Sequence, residues 1–102
     1  MTSDAVRLLA LDLPGVVELD HHGFPSFRAG ARRRIFATLP TDEILRVMLE
    51  PESIREAVAE FPWCREGWWG KTPATVEVVL ADAEAAAVTE LLDEGHARAT
   101  AR

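Results

Sequence analysis

Four arginines, Arg28, Arg32, Arg33 and Arg34, fall within a stretch from Gly23 to Thr41 that contains no acidic residue. A guanidinium is a planar, permanently charged fork whose paired N–H groups match phosphate oxygens, so the chemistry these residues offer is capture of a nucleic-acid backbone. Strand alternation puts Arg32 and Arg34 on one side of a hairpin if the strand reaches back to Arg32. Arg46 and Lys71 extend the patch if the sheet brings them near. The competing reading is a solvated hairpin tip whose charges guard a sheet edge and pair with acids such as Glu18 and Asp20.

A second cluster, Trp63, Trp68 and Trp69 with Cys64, Arg65 and Lys71 among them, offers aromatic faces beside cations, as single-stranded nucleic-acid and aromatic-ligand sites do. Against it stands the ordinary use of tryptophan to fill the space between sheet and helices or a dimer contact. A wholly exposed Trp68 or Trp69 decides between the two.

The remaining reactive residue types point away from chemistry. His21 and His22 adjoin Glu18 and Asp20, but neighbouring strand residues face opposite sides and cannot easily converge on one ion. Cys64 could be activated by Arg65, yet it has no evident histidine partner and sits among aromatics that bury it. Glu84, Glu90, Asp93 and Glu94 have the spacing of a solvated helical face. No glycine-rich phosphate loop, nucleophile elbow or histidine–glutamate metalloprotease motif is present. The expectation is therefore a protein that is not an enzyme, with no catalytic residue, no metal and no cofactor.

The elements that must position these residues follow from periodicity. Ser3 can cap a first helix with Val6, Leu9, Ala10 and Leu13 inward, stopped by Pro14 and Gly15. Short β-branched and aromatic runs then predict strands at Val16–Asp20, Ser26–Ala29, Arg34–Leu39 and Ile44–Leu49, joined closely enough for hairpins. Pro51 opens a helix with Ile54, Ala57, Val58 and Phe61 inward, ended by Pro62. Residues Trp63 to Pro73 read as irregular. Val76, Val78 and Leu80 alternate as a fifth strand, and Asp82 can cap a last helix that ends near Gly95, with the tail beyond His96 frayed.

With 102 residues, the chain is expected to be a single domain spanning 1–102, since its size supports one core. Its 48% hydrophobic and 27% charged residues place it among folding sequences rather than disordered ones. One cysteine, no signal-peptide pattern and no long uncharged apolar run fit a cytoplasmic protein with no membrane partner. The formal charge of −6 opposes polyphosphate over the surface as a whole, so a nucleic-acid contact must be local.

Several strings, read in order, resemble the MmcQ/YjbR family: Leu13-Pro14-Gly15-Val16, Gly23-Phe24-Pro25-Ser26-Phe27-Arg28, Arg34-Ile35-Phe36-Ala37-Thr38-Leu39 and Pro51-Glu52-Ser53-Ile54, continuing to the final strand and helix. The resemblance implies an α+β fold, a CyaY-like (frataxin-like) two-layer sandwich with helices on one face of an antiparallel sheet. That agrees with the order α-β-β-β-β-α-β-α read from the residues. It also implies a DNA-binding role carried on paired hairpin wings. The sequence departs from the family pattern in a longer hairpin at Gly30 to Arg33 and in an aromatic pair, Trp68-Trp69, placed before the segment Gly70 to Thr75.

The expectation is a non-enzymatic binding protein that contacts DNA through Arg28, Arg32, Arg33, Arg34, Arg46, Lys71, Trp68 and Trp69. The alternative is a protein-interaction or small-ligand module using the open sheet face and the segment from Trp63 to Lys71.

Overall fold

The computed structural model describes residues 1–101. Helix α1 (Ser3–Leu11) begins one residue earlier than Ser3 capping requires: the Thr2 hydroxyl accepts from the Ala5 N–H at 3.1 Å. Ser3 instead turns its hydroxyl to the Asp42 carboxylate. Val6 and Ala10 are fully buried, one helical turn apart.

Strands β1 (Val17–His21) and β2 (Phe24–Ala29) are joined by His22 and Gly23, both at positive φ, as a two-residue hairpin turn demands. The Asp20 carboxylate accepts from the Gly23 N–H and closes it. Strands β3 (Arg34–Thr41) and β4 (Ile44–Met48) follow, with the Thr41 hydroxyl accepting from the Glu43 and Ile44 N–H groups at their turn. Helix α2 (Pro51–Glu60) starts at proline, as expected.

The segment from Trp63 to Pro73, expected to be irregular, contains a strand. Residues Cys64–Trp69 form β5, paired antiparallel with β6 (Thr72–Val79), so the order is α-β-β-β-β-α-β-β-α. Two features hide β5 in the sequence. It is an edge strand whose only buried residue is Cys64, so it lacks the alternation that a half-buried strand prints. A bulge between Gly67 and Trp68 also breaks its register. A Cβ at Gly67 would collide with the Thr75 hydroxyl, which fixes glycine at this point.

The six strands form one antiparallel sheet in the order β1-β2-β3-β4-β6-β5. Helix α3 (Ala85–Thr100) lies on β2, β3 and β4, α2 lies on β5 and β6, and α1 packs on α3. This is the two-layer sandwich with helices on one face that the sequence predicts. Core residues Phe27, Ala37, Val47 and Val76 are consecutive register partners facing the helices, with Leu45, Val78 and Cys64 in the next row. Among the described residues no helix is long and apolar enough to cross a membrane.

Helix α3 differs from expectation at both ends. Asp82 lies in a turn rather than at the cap, and Glu84 precedes the helix without a side-chain cap. The helix passes through Gly95 to Thr100, so the expected fraying after His96 is not found. Gly95 is a seat, not a stop. A Cβ there would lie 2.8 Å from Val47 Cγ1 and 3.3 Å from the Phe36 carbonyl oxygen, both in the packed floor of the sheet.

Gly95→Ala is thus expected to destabilise the protein by about 1–2 kcal/mol in urea unfolding, the overpacking cost exceeding the gain of about 1 kcal/mol in helix propensity. A variant as stable as the parent would show that α3 does not need this close approach.

A candidate nucleic-acid interface at the hairpin end of the sheet

The hairpin that carries the arginines is built by its turn. Gly30 has φ +83° and Arg33 φ +48°, and the Arg33 N–H donates to the Gly30 carbonyl at 3.1 Å. The four residues Gly30 to Arg33 therefore form the loop between the paired residues Ala29 and Arg34. The helix side fixes its base: a Cβ at Gly30 would sit 2.9 Å from the Ala99 carbonyl oxygen near the end of α3.

Because β3 starts at Arg34, Arg32 belongs to the turn and the expected strand alternation of Arg32 with Arg34 does not apply. Arg32, Arg33 and Arg34 are all exposed. None of the three has an acidic partner within salt-bridge reach among the described residues. The acids that could have neutralised them are engaged elsewhere. Glu18 is held by Arg7 at 2.6 and 2.8 Å, which raises the Arg7 pKa through that hydrogen bond and charge, and Asp20 closes the β1–β2 turn.

Arg28 and Arg46 do not join the tip. Both lie on the sheet face turned away from the helices, where Leu19, Ser26, Thr38, Arg46, Glu77 and Arg65 are consecutive register partners across all six strands. Glu77 accepts from Arg46 at 2.7 Å and faces Arg65 at 3.3 Å, so one carboxylate is shared by two guanidiniums. Arg28 donates to the Ser26 hydroxyl at 3.1 Å, and Ser26 donates to the Leu19 carbonyl. A cleft of about 750 Å³ lies on this face, bordered by Phe24, Thr38, Arg46, Thr75, Glu77 and the two indoles of Trp68 and Trp69.

The tryptophans divide. Trp63 is buried and stacked on Phe61 with centroids 4.5 Å apart, the packing role. Trp68 is 54% exposed and Trp69 84% exposed. The Trp68 indole N–H donates to the Glu66 carboxylate at 3.1 Å, which orients the ring without covering it. Lys71 follows in the β5–β6 turn, exposed, after Gly70.

Register brings the two tips to one end of the sheet. Ala37 pairs with Val47 and Met48 with Thr75, so the Gly30–Arg33 turn and the Gly70–Lys71 turn both project past the Met48 end of β4. Their hairpins are three inter-strand spacings apart, about 14 Å across the sheet. At that end Glu50 is taken up by Arg98 at 2.8 Å.

Nothing in the sequence marks Glu77, Ser26, Thr38 and Glu66 as members of the site. Alternation of Glu77 with Val76 and Val78 announced that it faces away from the core, but only the strand order reveals what stands opposite. His21 and His22 pack with tilted rings at the β1–β2 turn, with centroids 4.4 Å apart, and among the described residues no three His, Cys, Asp or Glu side chains converge to hold a metal.

No family model matches the sequence, and no curated protein matches it. A solved structure does resemble it: the Deinococcus radiodurans protein DR2400, with a DUF419 domain, at a TM-score of 0.75 and 22% identity. The match covers 92% of this chain and 75% of that one. At that identity the likeness speaks for the fold.

Cys64 is buried among its neighbours, as the sequence leads one to expect, and faces the helices, while Arg65 faces the other way toward Glu77. Burial raises its thiol pKa from 9.0 to about 11. Because the folded value lies above the unfolded one, the stability this thiol contributes is complete below pH 9 and is lost as pH rises through 11. Denaturation midpoints should fall across that window, and the fall should shrink in Cys64→Ala; an identical decline in both proteins would assign it to other groups.

Proposed function

We propose that this protein is a non-enzymatic nucleic-acid-binding module, as the MmcQ/YjbR resemblance of its motifs implies, and that DNA phosphates are held at the hairpin end of the sheet. One observation carries the reading: Arg32, Arg33 and Arg34 stand on one exposed hairpin, without an acidic partner among the described residues, beside a second hairpin bearing Lys71, Trp68 and Trp69. Charge is segregated, so an acidic chain still offers a local attraction that strengthens as a phosphate approaches. Arg46 supports the sheet face rather than holding phosphate, since Glu77 occupies it, whereas Arg28 commits only its Nε–H to the Ser26 hydroxyl and lies on the open face away from the turn.

The absence of a catalytic step belongs to the same reading. Glu77 lies between two arginines, Glu66 accepts from Trp68, and Cys64 is buried and held protonated. A general acid or nucleophile needs a group free to move a proton or attack.

A second reading, a small-ligand or protein-binding module, draws on the open-face cleft of about 750 Å³, which falls within the range of ligand pockets. It involves the indoles and Arg46, and it does not need the arginine turn.

Fluorescence anisotropy of labelled DNA separates the two. Four phosphate contacts, from Arg32, Arg33, Arg34 and Lys71, give a log–log salt slope of about −4 on duplex and about −3 on single strands. Replacing Arg32, Arg33 and Arg34 by glutamate should abolish binding. No binding even at low salt would remove the proposal and leave the cleft as the functional surface.

A further inference from the structure

The two exposed indoles are more than the phosphate contact requires. A phosphate contact is satisfied by cations alone, and an 84% exposed Trp69 beside a 54% exposed Trp68 leaves a large apolar area in water. Apolar rings in that position gain free energy only when another flat surface covers them. Within a duplex the faces of the bases are already stacked on one another, whereas an unpaired base presents a face of the same size and shape.

The strand is arranged to present the rings. The bulge between Gly67 and Trp68 resets the register just before the pair, so that Trp68 stands opposite Pro73 and Trp69 opposite Thr72, and both residues border the same cleft. Glu66 anchors the Trp68 indole through its N–H, which leaves the π face open. Lys71 follows two residues after Trp69, and the arginine turn lies about 14 Å away at the same end of the sheet.

Charge density points the same way. Duplex DNA carries one negative charge per about 1.7 Å of axis, and a single strand is less dense. A protein with a formal charge of −6 repels the denser polymer more strongly.

We infer that the polynucleotide taken by this site is single-stranded, with unpaired bases stacked on Trp68 and Trp69 while its phosphates run from Lys71 to the Arg32–Arg34 turn. The inference rests on the nucleic-acid reading above and specifies its ligand. Arginine supplies the salt-dependent attraction, and tryptophan supplies the preference for unpaired bases.

Three probes test it at one low salt concentration: labelled oligothymidylate, a labelled duplex of the same length, and inorganic polyphosphate as a base-free competitor. Oligothymidylate should bind more tightly than duplex and quench tryptophan fluorescence, with the buried Trp63 as an unquenched background. Trp68→Ala and Trp69→Ala should each weaken oligothymidylate binding roughly tenfold. Polyphosphate binding should be unchanged in both variants, because the rings do not contact phosphate. Duplex binding as tight as single-strand binding, or a Trp68→Ala/Trp69→Ala double variant that holds oligothymidylate like the parent, overturns the inference while leaving the phosphate reading intact. Failure of every probe to bind, the parent protein being folded, overturns both.

Discussion

The approach of α3 to the sheet governs the molecule. Where Gly95 meets Val47 and the Phe36 and Met48 carbonyls there is no room for a methyl group, and the helix lies at the distance that glycine permits. Val88, Leu91 and Leu92 reach the core from that position, α1 packs on the same helix, and His96 donates through Nε2 to the Pro14 carbonyl at 2.7 Å. Dispersion energy falls steeply with separation, so a small lift of the helix would loosen all of these contacts together. The end of α3 also touches the arginine hairpin, where Ala99 closes on Gly30. Core packing and the placement of the candidate interface are thereby one geometric problem.

The two faces of the sheet are organised by different forces. Toward the helices the rows are apolar and held by burial. On the other face the central row is polar, and its order from Ser26 and Thr38 to Arg46, Glu77 and Arg65 is held by hydrogen bonds and charge. The shared carboxylate of Glu77 adds little stability, because its arginine partners remain partly in water. What it does is tie Arg46 and Arg65 to one point, across three strands, on the face that carries the cleft.

The elements legible in the sequence are those whose residues have two different sides. Helix α2 and strand β6 are legible because apolar positions recur at their proper periods, and β1 to β4 because their β-branched and aromatic runs are separated by the Gly23 and Gly30 turns; Pro25 and Pro40, which read as breaks, lie inside β2 and β3. Strand β5 was invisible because an edge position with one buried residue has no inner and outer side to encode. Helix α3 was cut short because Gly95 has the same sequence appearance whether it ends a helix or lets one approach a sheet. The arginine turn and the exposed Trp68 and Trp69 were named from residue type alone. Their meeting at one end, and the withdrawal of Arg28 and Arg46 to the other face, depend on strand order and register, which link residues far apart in the chain.

The strand order also bears on how the chain assembles. Pairs β1–β2, β2–β3, β3–β4 and β5–β6 are hairpins, while β4 and β6 are joined across α2 and β5. Hairpins close in microseconds, but the β4–β6 ladder must first confine the loop of residues 49–71, so it bears the largest entropic cost of any pairing in the sheet. A four-stranded meander and a separate hairpin carrying α2 are the natural parts, and their seam runs along β4. Until that seam shuts, the backbone of β4 is unpaired on one side and Leu45 and Val47 lack their partners Val78 and Val76. The interior of the finished sheet is thus the edge of the unfinished one, and newly made chains are most open to pairing with one another there.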